Sequence, residues 1–583
     1  MKNPYEEWDA HPEDVRVGRA WAWVFSVLFL AIIVLPPAFR NLHNTICPRN
    51  SEADEKWAPV MEFFHYPNPK SVASLAEKKR NNPGITREQP NLQDHLRSFE
   101  AELEAAPYAT AIRQWMQQRL TAGFREGNSK TVIGKEGRMY YQAGIDCLVG
   151  YGPLKPEPDS VMKNPDRAIW TPPIPVITKF AAQLKERGIE LMIVPVPVKS
   201  MIYPEDIGRG DWEKPVHHRD QEALYKKLRD AGIELVDLSD LFWTMKKTDE
   251  VFLRQDTHWS QLAMQKAAAA VADKIKSKPW FDLEKADLQT LQTQAERQHM
   301  GDLVEMLNLA EPKDLFQVEA QQLTMIRAAD KGGELSGSRQ SPIVLLGDSF
   351  VNIYNDPGIG FGETDGKPPS ENKSESPIGA GFAQHLALAL QTPLDVYTAN
   401  GGGATQVRKD FADQPDNEVR AKKIVVWVLA SRDLLLSETP GVRAGIRWGD
   451  VEFSKRIAET PTQPVTSDVT EVVVEAELKE RTPLQDPKST PYKEAIYSAI
   501  FTVDEKAANE LKIEGNEIPA YLWGFRDRKV VASGRLEVGK KYRLTLVPWA
   551  SKTNLQSVQK MDDLLVLSDW WFVEKVEPIE GGR

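Results

Sequence analysis

Short apolar runs alternate with amphipathic stretches through the middle of this chain, and that alternation predicts a layered α/β domain. Residues 189–198, IELMIVPVPV, are almost continuously apolar, as a strand covered on both faces must be. An amphipathic helix over 174–186 precedes it and stops at Arg187-Gly188. Further helices are predicted at 223–231, 261–275 and 381–390, and further strands at 233–238, 343–346, 394–397 and 424–428. This order implies a mostly parallel sheet with helices on both faces. Two short strands around a glycine-containing turn are expected at 130–141. Residues 276–338 look helical and charged, without a clear strand, and 355–378 are rich in Gly, Pro and Ser. Both stretches read as insertions, the second either a rim or lid or a surface excursion. Beyond a Pro/Thr-rich linker around 459–467 the pattern changes. Five strands, at 469–477, 495–503, 518–525, 542–547 and 570–576, predict a small antiparallel barrel or sandwich.

The N-terminal region follows a different pattern. Residues 20–39, AWAWVFSVLFLAIIVLPPAF, carry no charge and are long enough for a helix to span about 30 Å of hydrocarbon. Trp21 and Trp23 sit where interfacial anchors are common. No small-x-small cleavage site follows, so the stretch reads as one uncleaved transmembrane anchor. Basic residues flank it on both sides, which leaves its orientation open. The expected organisation is a tail at 1–19, the anchor at 20–39 and a helical juxtamembrane region at 40–125, with patches at 93–106 and 109–120. An α/β domain at 126–458 and a β domain at 466–583 complete it.

Composition narrows the function. The 583 residues are 41% hydrophobic and 27% charged, as in soluble globular proteins, and the formal net charge is −11. That charge argues against general nucleic-acid binding. The two cysteines, Cys47 and Cys147, allow one disulfide or two free thiols. No His-Glu-x-x-His or Cys-x-x-Cys spacing occurs, so neither a metal nor another cofactor is expected. His217-His218 reads as part of a solvated loop.

Two strings carry chemistry. Gly347-Asp348-Ser349-Phe350 closes the apolar run at 343–346 and puts Ser349 at the carboxyl end of a strand, where open α/β sheets bind ligands. Asp256-Thr257-His258-Trp259-Ser260 supplies a carboxylate two residues before an imidazole. A serine needs a histidine to take its proton and a third group to hold that histidine. Taken alone, the first string is more often an ordinary turn, and the second is equally half of a metal site. In the C-terminal region Arg526, Arg528 and Lys529 lie near Trp523. They form either a polysaccharide-binding face or a solvated hairpin over a Trp-rich core.

The chain resembles the alginate O-acetyltransferase family (AlgJ/AlgX-like), a branch of the SGNH hydrolase fold. The matching strings are Val132-Ile133-Gly134-Lys135-Glu136-Gly137, Pro195-Val196-Pro197-Val198-Lys199 with Tyr203-Pro204, and the Asp256 and Gly347 strings above. They cover roughly 130–435, with Asp-x-His before the serine, the reverse of ordinary SGNH hydrolases. The resemblance implies Ser349 as nucleophile, His258 as general base and Asp256 as its orienting carboxylate, with Asp348 shaping the turn. Oxyanion donors are then sought in the Ser349 amide and in Asn400, Gly401 and Gly402, and Arg432 and Lys199 are substrate-site candidates. The implied protein is a membrane-anchored O-acetyltransferase acting on an exported polysaccharide from the periplasmic side of the inner membrane. Its acetyl donor would be a multi-spanning membrane acyltransferase. A carbohydrate esterase of the same fold and a non-catalytic polysaccharide-binding component are the alternatives.

Overall fold

The computed structural model describes Trp23, Val27 and most of 107–579; excepted are 151, 155–171, 282–287, 330–334, 336, 362–376, 437–447, 458–470, 485, 486, 488, 489, 491, 512, 514, 553, 554, 556, 557, 563 and 565–569. Apart from Trp23 and Val27, the anchor stretch lies outside the described residues, as do Cys47, the patch at 93–106 and the 459–467 linker. Among the described residues no helix is long and apolar enough to cross a membrane.

Strands β1 (Thr131–Ile133) and β2 (Met139–Tyr141) pair antiparallel, as the glycine-containing turn between them predicts. Helix α1 (Pro173–Lys185) leads into β3 (Glu190–Val196), and α2 (Gln221–Asp230) into the two-residue β4 (Glu234–Leu235). Helix α3 (Gln261–Lys276) follows, its N-terminus capped by the Ser260 hydroxyl, which accepts from the Ala263 amide. The stretch expected to be helical is instead an antiparallel ribbon of β5 (Thr290–His299) and β6 (Glu319–Ala328), with the short helix α4 (Asp302–Leu307) between them. Its sequence misleads because the ribbon's outer face is polar, so apolar alternation is weak in β5. Then come β7 (Ile343–Gly347), α5 (Ser349–Asn352), α6 (Phe382–Leu390), β8 (Asp395–Thr398), α7 (Gln406–Ala412) and β9 (Ile424–Ala430).

The five strands form one parallel sheet in the order β4-β3-β9-β7-β8. All seven residues of β9 are buried, so both faces of this central strand are covered. Phe180 of α1 packs edge-on to Trp427 of β9, while α3 packs on α6. Cys147 is buried and unpaired. The described ends of the 355–378 insertion are fixed: Phe361 is fully buried and stacks on Tyr354 at 5.1 Å, and Ile378 is buried.

The C-terminal strands are β10 (Val472–Arg481), β11 (Ala495–Val503), β12 (Glu517–Arg526), β13 (Lys529–Val530), β14 (Lys541–Pro548), β15 (Gln559–Met561) and β16 (Trp571–Pro578). Pairing runs β12-β16-β14-β10-β11 and returns from β11 to β12, so five strands close into a barrel. Closure removes the exposed edges that an open sheet would leave. The barrel is not wholly antiparallel as expected, because β12 and β16 pair in parallel.

Candidate active site

The strand-to-helix turn after β7 sets the position of Ser349. Only glycine fits at 347: a β-carbon there would sit 2.2 Å from Cγ2 of Val351, because α5 folds back over the strand end. The Asp348 carboxylate caps α5 by accepting from the Phe350 amide at 2.9 Å, the turn-shaping part expected of it. Ser349 is 3% exposed.

The Asp256 loop is held against this turn chiefly by Trp259. Its indole N–H donates to the Phe350 carbonyl at 3.0 Å, and its ring stacks on Phe382. Tyr354 donates back to the Trp259 carbonyl at 2.7 Å. The His258 ring then lies 4.7 Å from the Phe350 ring, between its two polar partners.

Those partners form a relay. His258 Nδ1 lies 2.6 Å from Asp256 Oδ1, and Nε2 lies 2.8 Å from Ser349 Oγ. With Nδ1–H donating to the carboxylate, Nε2 presents its lone pair to the serine hydroxyl. Asp256 is buried and accepts from four donors: the His258 amide and Nδ1 on one oxygen, His299 Nε2 at 3.0 Å and the Asp302 amide at 2.9 Å on the other. Burial opposes its charge, but the His258 and His299 imidazoles hold the carboxyl well below its ordinary range.

His299 and Asp302 were not legible as site residues. They flank the β5–α4 turn, more than forty residues from Asp256, in a stretch with no motif. The Asp302 carboxylate accepts from the Thr257 amide at 2.8 Å and from its hydroxyl. Burial, then the charge of Asp256, raises its pKa from 3.8 to about 6. A raised carboxyl pKa contributes stability that is present below the ordinary value and is lost as pH rises through the folded one. The isosteric Asp302→Asn variant stays neutral, so its stability advantage over the parent is expected to widen between pH 3.8 and about 6 and to be flat above. Thermal melts across that range check this.

Asp256, His258 and Asp302 also form a cluster of ligand-type atoms within 4.8 Å of one another. The 2.6 Å Asp256–His258 contact is shorter than the about 3.3 Å between neighbouring ligands of a tetrahedral zinc ion, and suits a shared proton instead.

The other expected site residues take different places. Lys199 is buried and lines the same small cavity as Arg432, and its ammonium donates to the carbonyls of Met139 at 2.8 Å, Asp256 at 2.5 Å and Arg254 at 3.4 Å. It therefore pins the Asp256 backbone to β2, and burial lowers its pKa to about 8. Asn400 uses one of its two amide N–H groups on Asp356 at 3.0 Å, and its oxygen accepts from Asn352 at 2.9 Å. The Gly402 amide is likewise used by the Ala399 carbonyl at 2.9 Å. Gly401 has φ +73°, and its bare α-carbon faces the ring of Tyr492. Arg432 reaches the site: its guanidinium lies 5.8 Å from the Phe350 ring centre and lines a small cavity with Tyr141 and Thr257.

The basic and aromatic residues of the barrel divide. Trp523 is half-buried and edge-on to Phe572 in a satellite core, not an open sugar platform. Arg528 is engaged with Glu305 at 2.8 Å and with the Thr490 carbonyl. Arg526, paired with Glu494, and Lys529 are exposed. His218, expected in solvent, is buried, with Nε2 on the Gly150 carbonyl and Nδ1 accepting from the Asp220 amide.

Residues 158–431 match the family described as SGNH hydrolase-like domain, acetyltransferase AlgX. This part of the chain is similar to an AlgX-type SGNH-like domain. The match runs from before α1 to the end of β9 and spans Asp256, His258 and Ser349. The chain is 29% identical over 314 residues to the probable alginate O-acetylase AlgJ of Pseudomonas aeruginosa, covering 53% of this chain and 72% of that protein. It is 25% identical over 347 residues to the AlgJ of Pseudomonas putida, covering 58% and 77%. The solved O-acetyltransferase domain of Pseudomonas putida AlgJ aligns with TM-score 0.38 and 19% identity, over 54% of this chain and 95% of that one.

Proposed function

We propose that this protein is a polysaccharide O-acetyltransferase that works through an acyl-serine at Ser349. The observation that carries the reading is the unbroken run of hydrogen bonds Asp256–His258–Ser349, with distances of 2.6 and 2.8 Å. The similarity to proteins named as alginate O-acetylases supports the transfer reaction and a polysaccharide acceptor.

In the first half-reaction Ser349 Oγ attacks the acetyl carbonyl carbon of the donor while its proton passes to His258 Nε2. Asp256 stabilises the imidazolium and holds its tautomer without taking the proton. As the tetrahedral species collapses, the donor group leaves with the proton from His258, and acetyl remains on Ser349. In the second half-reaction a sugar hydroxyl gives its proton to His258 and attacks the acyl carbon; on collapse the bond to Oγ breaks, and His258 returns the proton to Ser349 as the acetylated sugar leaves. Water in place of the sugar gives hydrolysis by the same steps.

The membrane setting belongs to this proposal. Residues 20–39 anchor the chain, and the catalytic domain faces the exported polymer on the periplasmic side of the inner membrane. A multi-spanning acyltransferase there supplies acetyl groups. The polymer is alginate or another exopolysaccharide.

The test uses the full chain in detergent with a chromogenic acetyl ester and uronate oligosaccharides. The reading expects ester-linked acetyl on the sugar, with Ser349→Ala inactive. Release of free acetate alone, at every oligosaccharide concentration, overturns transfer in favour of a carbohydrate esterase.

A further inference from the structure

The ribbon of β5 and β6 interrupts the α/β order, yet its α4 end is built around the loop that carries Asp256 and His258. Glu319, at the start of β6, accepts from the amides of Arg254 at 2.9 Å and Gln255 at 3.2 Å. The Gln255 carbonyl accepts from the Leu303 amide at 3.2 Å. Only glycine fits beside that carbonyl at 301, where φ is +88° and a β-carbon would lie 2.2 Å from its oxygen. The Thr257 amide goes to Asp302 and the His258 amide to Asp256. The relay loop is therefore held by its backbone, and largely from the ribbon.

The ribbon's register places His299 directly opposite Glu319. The pairing that sets this clamp thus also delivers an imidazole to the relay. His299 Nε2 lies 3.0 Å from Asp256 Oδ2, the oxygen that His258 does not use. An ionised carboxylate only accepts, so His299 Nε2 carries the hydrogen. The ring is packed as well as bonded. It lies 5.4 Å from the Phe361 ring, which stacks on Tyr354, and the Tyr354 hydroxyl donates to the Trp259 carbonyl.

We infer that His299 is a positioning residue for acetyl transfer, a second imidazole that holds the Asp256 carboxylate in the plane His258 needs. The inference rests on the acyl-serine reading above. His299 keeps its own proton throughout and touches neither Ser349 nor the acyl group. Its N–H and the Asp302 amide together oppose rotation of the carboxylate about its Cβ–Cγ bond. Without His299, Oδ2 keeps the Asp302 amide alone, and the carboxylate turns more freely away from His258 Nδ1. That loss is felt when positive charge appears on His258, which happens in both half-reactions. Ground-state binding of donor or sugar does not involve it, so the effect belongs in kcat and not in KM.

The experiment compares the full-length parent with His299→Phe, His299→Gln, His299→Asn and Ser349→Ala on the chromogenic ester. Values of kcat and KM are separated, and thermal melts are recorded. His299→Phe keeps a ring against Phe361 but has no N–H, and is expected to lower kcat about 10- to 100-fold with KM nearly unchanged. Glutamine carries its amide nitrogen as many bonds from the α-carbon as His299 Nε2, and is expected to recover most of that loss. Asparagine stops one bond short and is expected not to. The Gln and Asn pair decides the matter even where the Phe variant fails to fold. Parent-like kcat in His299→Phe, equal kcat in the Gln and Asn variants, or a change confined to KM overturns the role of His299. In each case an inactive Ser349→Ala leaves the acyl-serine standing. Parent-like turnover by Ser349→Ala overturns both.

Discussion

Ser349→Ala is expected to abolish acetyl transfer, lowering kcat by on the order of 10⁴- to 10⁶-fold. The change removes one buried oxygen that bonds His258 Nε2 at 2.8 Å and leaves the turn intact, since Asp348 and Gly347 set its shape. The fold should persist, so the loss appears in turnover and not in the melting curve. Rates of ester cleavage for parent and variant, measured beside thermal melts, check both halves. A variant that retains turnover within tenfold of the parent would place the chemistry elsewhere.

Asp256→Asn carries the second-largest effect. The carboxylate accepts four hydrogen bonds, and an amide can accept on only one of its two atoms. With the amide oxygen facing His299 and the Asp302 N–H, its NH₂ would face His258 Nδ1 and favour the tautomer that cannot accept from Ser349. A loss of about 10⁴-fold in kcat is expected on that ground. The alternative rotamer keeps the His258 tautomer but sets donor against donor at His299 and Asp302, costing about 1–3 kcal/mol of stability. The native carboxyl is held well below 3.8, so its contribution to stability is present above that value and is lost as pH falls further. The melting-temperature gap between parent and Asp256→Asn should therefore narrow in strong acid. A gap that stays constant down to acid unfolding would contradict the assignment of Asp256 as an ionised, fully bonded partner.

What was legible in the sequence follows from how local each signal is. The parallel strands at 190–196, 343–347 and 424–430 are continuous apolar runs because both faces are covered, so length and composition alone mark them. Ser349 and the Asp256-x-His258 pair are legible because the relay uses a backbone turn and an i, i+2 spacing. Trp259 then explains why an aromatic residue follows the histidine: its indole ties the two strings together. The supporting residues are a different matter. His299 and Asp302 reach the site through the ribbon and a six-residue helix, and no local spacing relates them to Ser349. Lys199 follows a strand end and Arg528 lies in a basic, Trp-containing cluster, but the carbonyls and carboxylate they bond come from distant parts of the chain, which no local pattern shows.

The most direct test of the central claim is to quench the full-length protein during turnover of an acetyl ester and map acetylated peptides by mass spectrometry. The account predicts one acetyl group on the peptide containing Ser349, which accumulates without acceptor and is discharged when uronate oligosaccharide is added. An unmodified Ser349 peptide during active turnover, or acetyl carried on another side chain, would contradict it.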